Sequence, residues 1–135
     1  MRYRILSVVL AGAIALPAHA FADKDDWSGL YKGLDVYDGS IDYLSISLTS
    51  VETFELRIIP SVISLCETGR GWIVAEGKLN DEGKMLRQNS RVFCDGEEPA
   101  DVADRVLTLD ANTGIIRYEA TDDRRPLVYH KVSSN

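Results

Sequence analysis

The stretch Tyr43–Leu48, YLSISL, decides the fold class, because apolar and polar side chains alternate along it. Leu44, Ile46 and Leu48 fall on one face of an extended chain, and the residues between them fall on the other. Successive side chains of a β-strand point to opposite faces, so this pattern indicates a strand with one face in a core.

The same alternation recurs through most of the chain. TFELRII, GWIVAEGKL and IIRYEAT repeat it, with turn sequences such as NDEG at Asn80–Gly83 and DANTG at Asp110–Gly114 between strands. A type I turn followed by a glycine at positive φ closes hairpins of this kind. The pattern predicts eight or nine strands, near 28–34, 41–49, 53–59, 62–67, 71–79, 84–94, 103–110, 114–121 and 127–132.

Helical periodicity is weak throughout. EPADVADRVL, residues 98–107, is the best candidate, and we expect one helical turn there before a strand. DDRRP at Asp122–Pro126 predicts another reversal, because proline cannot donate to a central ladder.

Consecutive hairpins leave unpaired edges, which closure of the sheet removes. About eight strands close into a small barrel that side chains fill. We therefore predict an all-β fold, a small antiparallel up-and-down barrel of about eight strands, with a β-sandwich as the alternative. The chain has enough aromatic side chains to line a pocket or to fill the barrel, and a filled interior is expected at this chain length; they are Trp27, Tyr31, Tyr43, Trp72, Tyr118 and Tyr129.

Residues 1–22 have the features of a secretory signal peptide. Arg2 and Arg4 precede the uncharged run ILSVVLAGAIALP, and the small residues of AHAFA follow it. The run is too short for a membrane span, although a retained anchor is the alternative. Cleavage after Ala20 or Ala22 fits, with Ala22 favoured. We expect residues 23–135 to form one domain, periplasmic or secreted, without a membrane span.

The chain is acidic, with 15 Lys and Arg against 21 Asp and Glu and a net charge of −6. Without Arg2 and Arg4, 13 basic residues face the same 21 acidic ones, and the net charge becomes −8. Phosphate contacts need basic side chains, so a nucleic-acid partner is not expected. A cationic partner would be attracted, at a rate that falls with salt.

Residues 23–135 contain two cysteines, Cys66 and Cys94. In an oxidising compartment an even count predicts a disulfide, although two buried thiols are the alternative. Two cysteines without a neighbouring histidine do not complete a zinc tetrahedron, so no metal site and no cofactor are expected.

Asp35, Asp38 and Asp42, around Gly39, suggest an ion site. The spacing does not fit an EF-hand loop, because Tyr37 and Gly39 stand where oxygen ligands are needed. A turn, or a binding loop, is the better interpretation.

His130 is the one histidine of residues 23–135, and it alternates with Val128 and Val132, so it is expected to face inward. A dyad with Ser45, Ser47 or Ser64 would be needed for nucleophilic catalysis, and no nucleophile elbow supports it. We keep Asp35, Asp38, Asp42 and His130 as candidate binding residues and no catalytic residue.

WSGLYKG opens the first predicted strand with Trp27, Gly29 and Tyr31. With the hairpin layout, it resembles the lipocalin-like (calycin) group of small exported barrels. The layout also looks like periplasmic inhibitor barrels that block lysozymes or secreted proteases. The strand patterning, the signal peptide and the lack of a catalytic constellation favour a non-enzymatic exported binding barrel for a small molecule or protein. The alternatives are an inhibitor of a cationic exported hydrolase such as a lysozyme, and a small hydrolase.

Overall fold

The computed structural model describes residues 22–35, 39–119 and 127–134. The predicted signal peptide lies almost wholly outside these ranges, as do Asp38 and the predicted reversal at 122–126. No helix within the described ranges is long and apolar enough to span a bilayer.

One short helix and nine strands make up the described chain, which confirms the all-β prediction. Their bounds are α1 Lys24–Trp27, β1 Gly29–Leu34, β2 Ile41–Leu48, β3 Thr53–Pro60, β4 Gly71–Leu79, β5 Met85–Cys94, β6 Ala100–Val102, β7 Arg105–Asp110, β8 Ile115–Tyr118 and β9 Val128–Ser133.

Eight of the strands form a closed antiparallel ring. Within the ring, β1 pairs with β2, β2 with β3, β3 with β4 and β4 with β5. β5 then pairs with β7, β7 with β8 and β8 with β9. β9 then pairs with β1, with Tyr129 opposite Gly33, which closes the ring. The predicted up-and-down barrel is confirmed, and its layout is compatible with that of lipocalin-like barrels.

The extra strand β6 corrects the expected helical turn before β7. β7 pairs only with Met85–Arg87 of β5 and leaves the backbone of the second half of β5 without that neighbour. β6 pairs with Ser90–Val92 instead. Since backbone N–H and C=O groups need partners, a strand forms where local sequence alone suggests a helical turn.

The predicted strand at 62–67 is also wrong. β3 ends at Pro60, and the chain then folds into a series of turns that leads back to β4. The Ile63 N–H donates to Gly69 O at 3.0 Å, and the Gly69 N–H donates to Cys66 O at the same distance. Hydrogen bonds within the segment thus take the place of the hydrogen bonds that a strand would make to a neighbouring strand. We call residues 61–70 the disulfide loop.

The disulfide itself is confirmed, between Cys66 of this loop and Cys94 at the end of β5. Ile63 and Cys66 are buried and anchor the loop on the barrel. Gly71 makes room for the bridge, because a Cβ there would lie 2.7 Å from Cys66 Sγ.

The core lies inside the ring and consists of the inward residues of alternating strands. Leu44 and Ile46 are buried in the same cluster as Ile116, as the alternation predicts, whereas Leu48 at the end of β2 is exposed. The largest fully buried side chains are those of Trp27, Tyr31, Leu44, Ile46, Phe54, Leu56, Met85, Leu107, Ile116 and Tyr129.

α1 closes one end of the barrel. Its single turn places Trp27 in the core, and the Tyr31 hydroxyl donates to Trp27 O at 2.8 Å. Lys131 Nζ donates to Asp26 O at 2.9 Å and lies 5.5 Å from the centre of the Tyr31 ring. These contacts tie the first and last strands to the plug. We call this the plugged end and the opposite one the open end.

Candidate functional site

A pocket of about 490 Å³ occupies the open end, where β1, β3 and β5 finish. We call it the mouth pocket. Its apolar wall includes Ile58, Ile63, Ile73 and Val92, and residues 100–103 form its side. A concavity of this size that combines an aliphatic wall with several polar groups is able to hold a small molecule.

Two of the predicted binding residues, Asp35 and Asp42, line the mouth pocket together. The connection between β1 and β2 brings them there: the Asp35 N–H donates to Ser40 O at 2.9 Å, and the Gly39 N–H donates to Asp35 O at 2.8 Å. Gly39 has a φ of 74°, a conformation that favours glycine. The predicted unusual φ at this turn is thus confirmed.

Asp42 points into the barrel mouth and is 7% exposed. The Ser40 hydroxyl donates to its carboxylate at 3.2 Å. A carboxylate held so close to the core keeps a stronger field than one in water, because the surroundings screen it less. Asp38, the third predicted aspartate, lies outside the described residues.

His130 is elsewhere, and the expectation that it faces inward is wrong. Tyr129 takes the inward position of β9, so its neighbour His130 lies on the outer face, exposed and opposite Lys32 of β1. Gly33 of β1 explains why Tyr129, and not His130, is the residue of β9 that faces inward. A Cβ there would lie 2.9 Å from Tyr129 Cδ1, so glycine is what admits the ring.

A buried polar cluster inside the barrel is absent from the sequence predictions. Arg87 is 5% exposed; its Nη1 donates to the Tyr118 hydroxyl and its Nη2 to Ala103 O, both at 3.0 Å. Its guanidinium carbon lies 5.4 Å from the centre of the Tyr118 ring. Tyr118 packs edge-on against Tyr129, with ring centres 6.0 Å apart.

A β-bulge in β5 brings Ser90 to the inner face that carries Arg87. The β4–β5 register shifts between Val74 and Glu76, and Asn89 in the bulged stretch has a φ of 51°. Asparagine is among the few non-glycine residues that tolerate this region. The bulge changes the phase of the alternation, so that Arg87 and Ser90 both face inward although three positions separate them. Strict alternation would have placed them on opposite faces, so the pattern alone does not find them.

The interior also perturbs Tyr129. Burial raises the pKa of its hydroxyl well above the usual 10, and the nearby Tyr118 and Asp42 raise it further. The charge of Arg87 acts in the opposite direction. Tyr129 therefore lies within the electrostatic reach of both buried charged residues, Asp42 and Arg87.

The rim of the open end combines apolar and acidic side chains. Val62 and Leu65 of the disulfide loop are each more than half exposed. The neighbouring turn carries Glu97, whose carboxylate accepts from the Glu67 N–H at 2.8 Å, and exposed Glu98. The loop is thus fixed on both sides, by the disulfide and by this hydrogen bond.

Among the described residues, no group of three or more His, Cys, Asp or Glu side chains is arranged to hold a metal ion. Comparison of the chain with family models, with curated proteins and with solved structures finds no match.

Proposed function

We propose that this protein is a non-enzymatic binding barrel whose mouth pocket holds a small molecule with an apolar body and a cationic group. The observation that carries the proposal is the mouth pocket itself, in which Asp35 and Asp42 stand beside an aliphatic wall. The one histidine of residues 23–135 lies on the outer face, away from this pocket.

The charged side chains that line the mouth pocket favour a ligand with a cationic group. Among the described residues of the lining, the ionisable ones are three acids, Asp35, Asp42 and Asp101, and one base, Arg105; Arg91 Nε lies 3.7 Å from Asp101 Oδ1. The Arg105 guanidinium donates to Asp104 O at 3.0 Å. The acidic chain adds a long-range attraction for cations that salt weakens.

The wall supports an apolar body. Ile58, Ile73 and Val92 project from three adjacent strands, so an alkyl or aryl group can lose its contact with water against a continuous surface. Each buried methylene contributes about 0.8 kcal/mol to such transfer. Affinity should therefore grow with the length of the apolar body until the pocket is full.

Calorimetric titration with primary alkylammonium ions, from butyl to decyl, tests this proposal. We expect affinity to rise several-fold for each added methylene and then to level off. The 1-alkanols of equal length should bind at least tenfold more weakly, because they lack the charge. Equal affinity for ammonium and alcohol would contradict the role of the carboxylates.

The Asp42→Asn variant distinguishes binding of the cation at Asp42 from the general attraction of cations by the negative net charge of the protein. The substitution keeps the shape and removes the charge, so we expect alkylammonium affinity to fall about tenfold, or 1.4 kcal/mol. Asp81→Asn is the matched control, since Asp81 is exposed in the turn after β4, at the plugged end. Equal losses in both variants would show only a net-charge effect.

A second candidate, inhibition of a cationic exported hydrolase, is favoured by the rim. Val62 and Leu65 are exposed on a loop fixed by the disulfide, beside Glu67, Glu97 and Glu98. A pre-ordered apolar loop with acidic neighbours suits a basic protein surface. Lysozyme-driven lysis at low salt is the test: stoichiometric protein should slow it, and Leu65→Ser should relieve the effect. Unchanged lysis would remove this candidate.

Export and membership of the lipocalin-like group complete the proposal. The sequence of residues 1–22 and the Cys66–Cys94 disulfide support export, since disulfides persist in oxidising compartments. Processing after Ala22 would leave Asp23 as the first residue, which N-terminal sequencing of the protein recovered from the periplasm would show. An intact residue 1–22 segment would contradict it.

A further inference from the structure

Among the described residues, four buried side chains have one polar atom each without a hydrogen-bond partner, and one of these atoms, Trp27 Nε1, lies at the plugged end. The other three are Arg87 Nε, Ser90 Oγ and Tyr129 Oη. Arg87 is 5% exposed, Ser90 is 3% exposed and Tyr129 is fully buried. Native proteins pair nearly all such groups, with protein, water or an ion, so three exceptions in one interior need an explanation.

Arg87 is the most demanding of the three. None of the ion pairs in the described part of the chain includes it. Its Nη atoms donate to two neutral acceptors, the Tyr118 hydroxyl and Ala103 O, and no carboxylate of the described residues pairs with it. Burial of a charge without a partner is unfavourable, so an anion beside it would be stabilising.

The three groups lie in one region. Ser90 is opposite Val102, and the next residue, Ala103, accepts from Arg87. Tyr118 connects Arg87 to Tyr129, through a cation–ring contact on one side and an edge-on ring contact on the other. All three are donors: a guanidinium N–H and two hydroxyls.

The backbone is built to bring them together. Arg87 and Ser90 share the inner face only because of the bulge at Asn89, whose positive φ is unfavourable for most residues. Bulges recur beside functional sites, where they re-aim side chains. A bulge that turns a serine to the same inner face as a buried arginine is an unusual feature for packing alone.

We propose that the barrel interior binds a small monovalent anion, a halide or a carboxylate group, through Arg87 Nε, Ser90 Oγ and Tyr129 Oη. Guanidinium and hydroxyl donors make strong, charge-assisted hydrogen bonds to such an acceptor. The carboxylate of Asp42 also acts on Tyr129 and opposes an anion there, so we expect a dissociation constant on the order of 10 mM. This site is distinct from the cation site of the mouth pocket.

Thermal unfolding in sodium chloride, sodium formate and sodium butyrate tests the proposal. At 100 mM formate, the melting temperature of the wild-type protein should rise by about 5 °C along a saturating curve, because the anion binds only the folded state. Arg87→Met should abolish the saturating part. Arg91→Met is the matched control on the outer face of the same strand, and it should respond like the wild type.

The three anions distinguish the source of the charge. If chloride and formate bind and butyrate does not, the site holds a free ion. If butyrate binds more tightly than formate, the site takes the acid group of a larger molecule. Equal salt responses of wild type, Arg87→Met and Arg91→Met would overturn the proposal.

A second measurement covers the case in which Arg87→Met does not fold. Ser90→Ala keeps the arginine and removes one donor, so we expect the apparent affinity for formate to fall about threefold to tenfold. In the wild type, the Arg87 Nε–H resonance should move with formate along the same saturating curve. A resonance that stays in place, with unchanged affinity of Ser90→Ala, would refute the site.

Discussion

Tyr31 and Tyr129 are both buried, but only the Tyr31 hydroxyl makes a well-formed hydrogen bond to the described residues. It donates to Trp27 O at 2.8 Å, whereas the Tyr129 hydroxyl has the Tyr118 hydroxyl near it without such a bond. Removal of a satisfied hydroxyl leaves its acceptor unpaired, and removal of an unsatisfied one relieves a desolvation cost. The same chemical change should therefore have opposite effects at the two positions.

We predict that Tyr31→Phe lowers the free energy of unfolding by about 1–2 kcal/mol. Tyr129→Phe, in a buffer of sulfate salts without the proposed monovalent anions, should leave it unchanged or raise it by up to about 1 kcal/mol. Urea denaturation of both variants beside the wild type measures this difference. A loss at Tyr129 as large as that at Tyr31 would show that the Tyr129 hydroxyl has a partner in solution.

Stability at high pH should depend on the same two side chains. Burial, and then the charge of Asp26, raise the pKa of Tyr31 to about 12, and burial raises that of Tyr129 well above 10. Unfolded tyrosines lose their protons near pH 10. The contribution of both tyrosines to the free energy of unfolding is thus complete below pH 10, and it is lost as the pH rises through their pKa values in the folded protein.

We predict that the free energy of unfolding falls steeply between pH 10 and pH 12. The fall should be shallower in Tyr31→Phe, because that variant has one fewer group to ionise on unfolding. Urea denaturation at half-unit steps from pH 8 to pH 12 measures both slopes. Parallel curves for the two proteins would mean that Tyr31 titrates near its ordinary value.

At the scale of single elements, the bulge in β5 is the most sensitive to backbone chemistry. Asn89 holds a φ of 51°, which glycine adopts without strain and alanine does not. We predict that Asn89→Gly changes the free energy of unfolding by less than about 0.5 kcal/mol and that Asn89→Ala lowers it by about 1 kcal/mol. Thermal or urea unfolding would show the order, and equal stability of both variants would argue against a strained bulge.

The strands show where a sequence pattern is sufficient. Alternation predicts the positions of eight strands, because half-buried strands of a barrel need one apolar face. It fails for 62–67, where Cys66 and Ile63 are buried as anchors of a loop rather than as one face of a strand. It also fails for 100–102, which pair because β5 has free backbone groups there.

His130 and Arg87 show why the site is harder to predict than the strands. The phase of β9 depends on a glycine in another strand, Gly33, which admits Tyr129. The phase of the second half of β5 depends on a bulge of one residue. Tertiary contacts decide both, so period-two counting cannot assign the inward face. Asn89 between two inward-facing segments was the only local signal available.

At the scale of the whole molecule, the disulfide joins the disulfide loop to the end of β5 across 28 positions. Closure of a loop of this length stabilises the folded state by about 3.6 kcal/mol in the chain-entropy model. We predict that the Cys66→Ala and Cys94→Ala double variant loses about that amount, and that the wild type under reducing conditions loses it too. Unchanged midpoints in urea would contradict this.

Closure of the barrel followed from a count of short strands and from the cost of free edges, and the structure confirms it. The mouth pocket did not follow, because strands of sequence separate Asp35 and Asp42 from Ile73 and Val92. Only the tilt and register of a closed sheet bring them to one pocket. Two aspartates could be anticipated, whereas the wall beside them could not.

β6 stands outside the ring of eight strands, yet residues 100–103 form one side of the mouth pocket. The segment that shapes the mouth pocket is therefore not one of the strands that close the barrel. Related proteins in which this segment is longer, shorter or different in sequence would have a different mouth pocket on an unchanged barrel. In such an arrangement, new selectivity can arise during evolution with little loss of foldability.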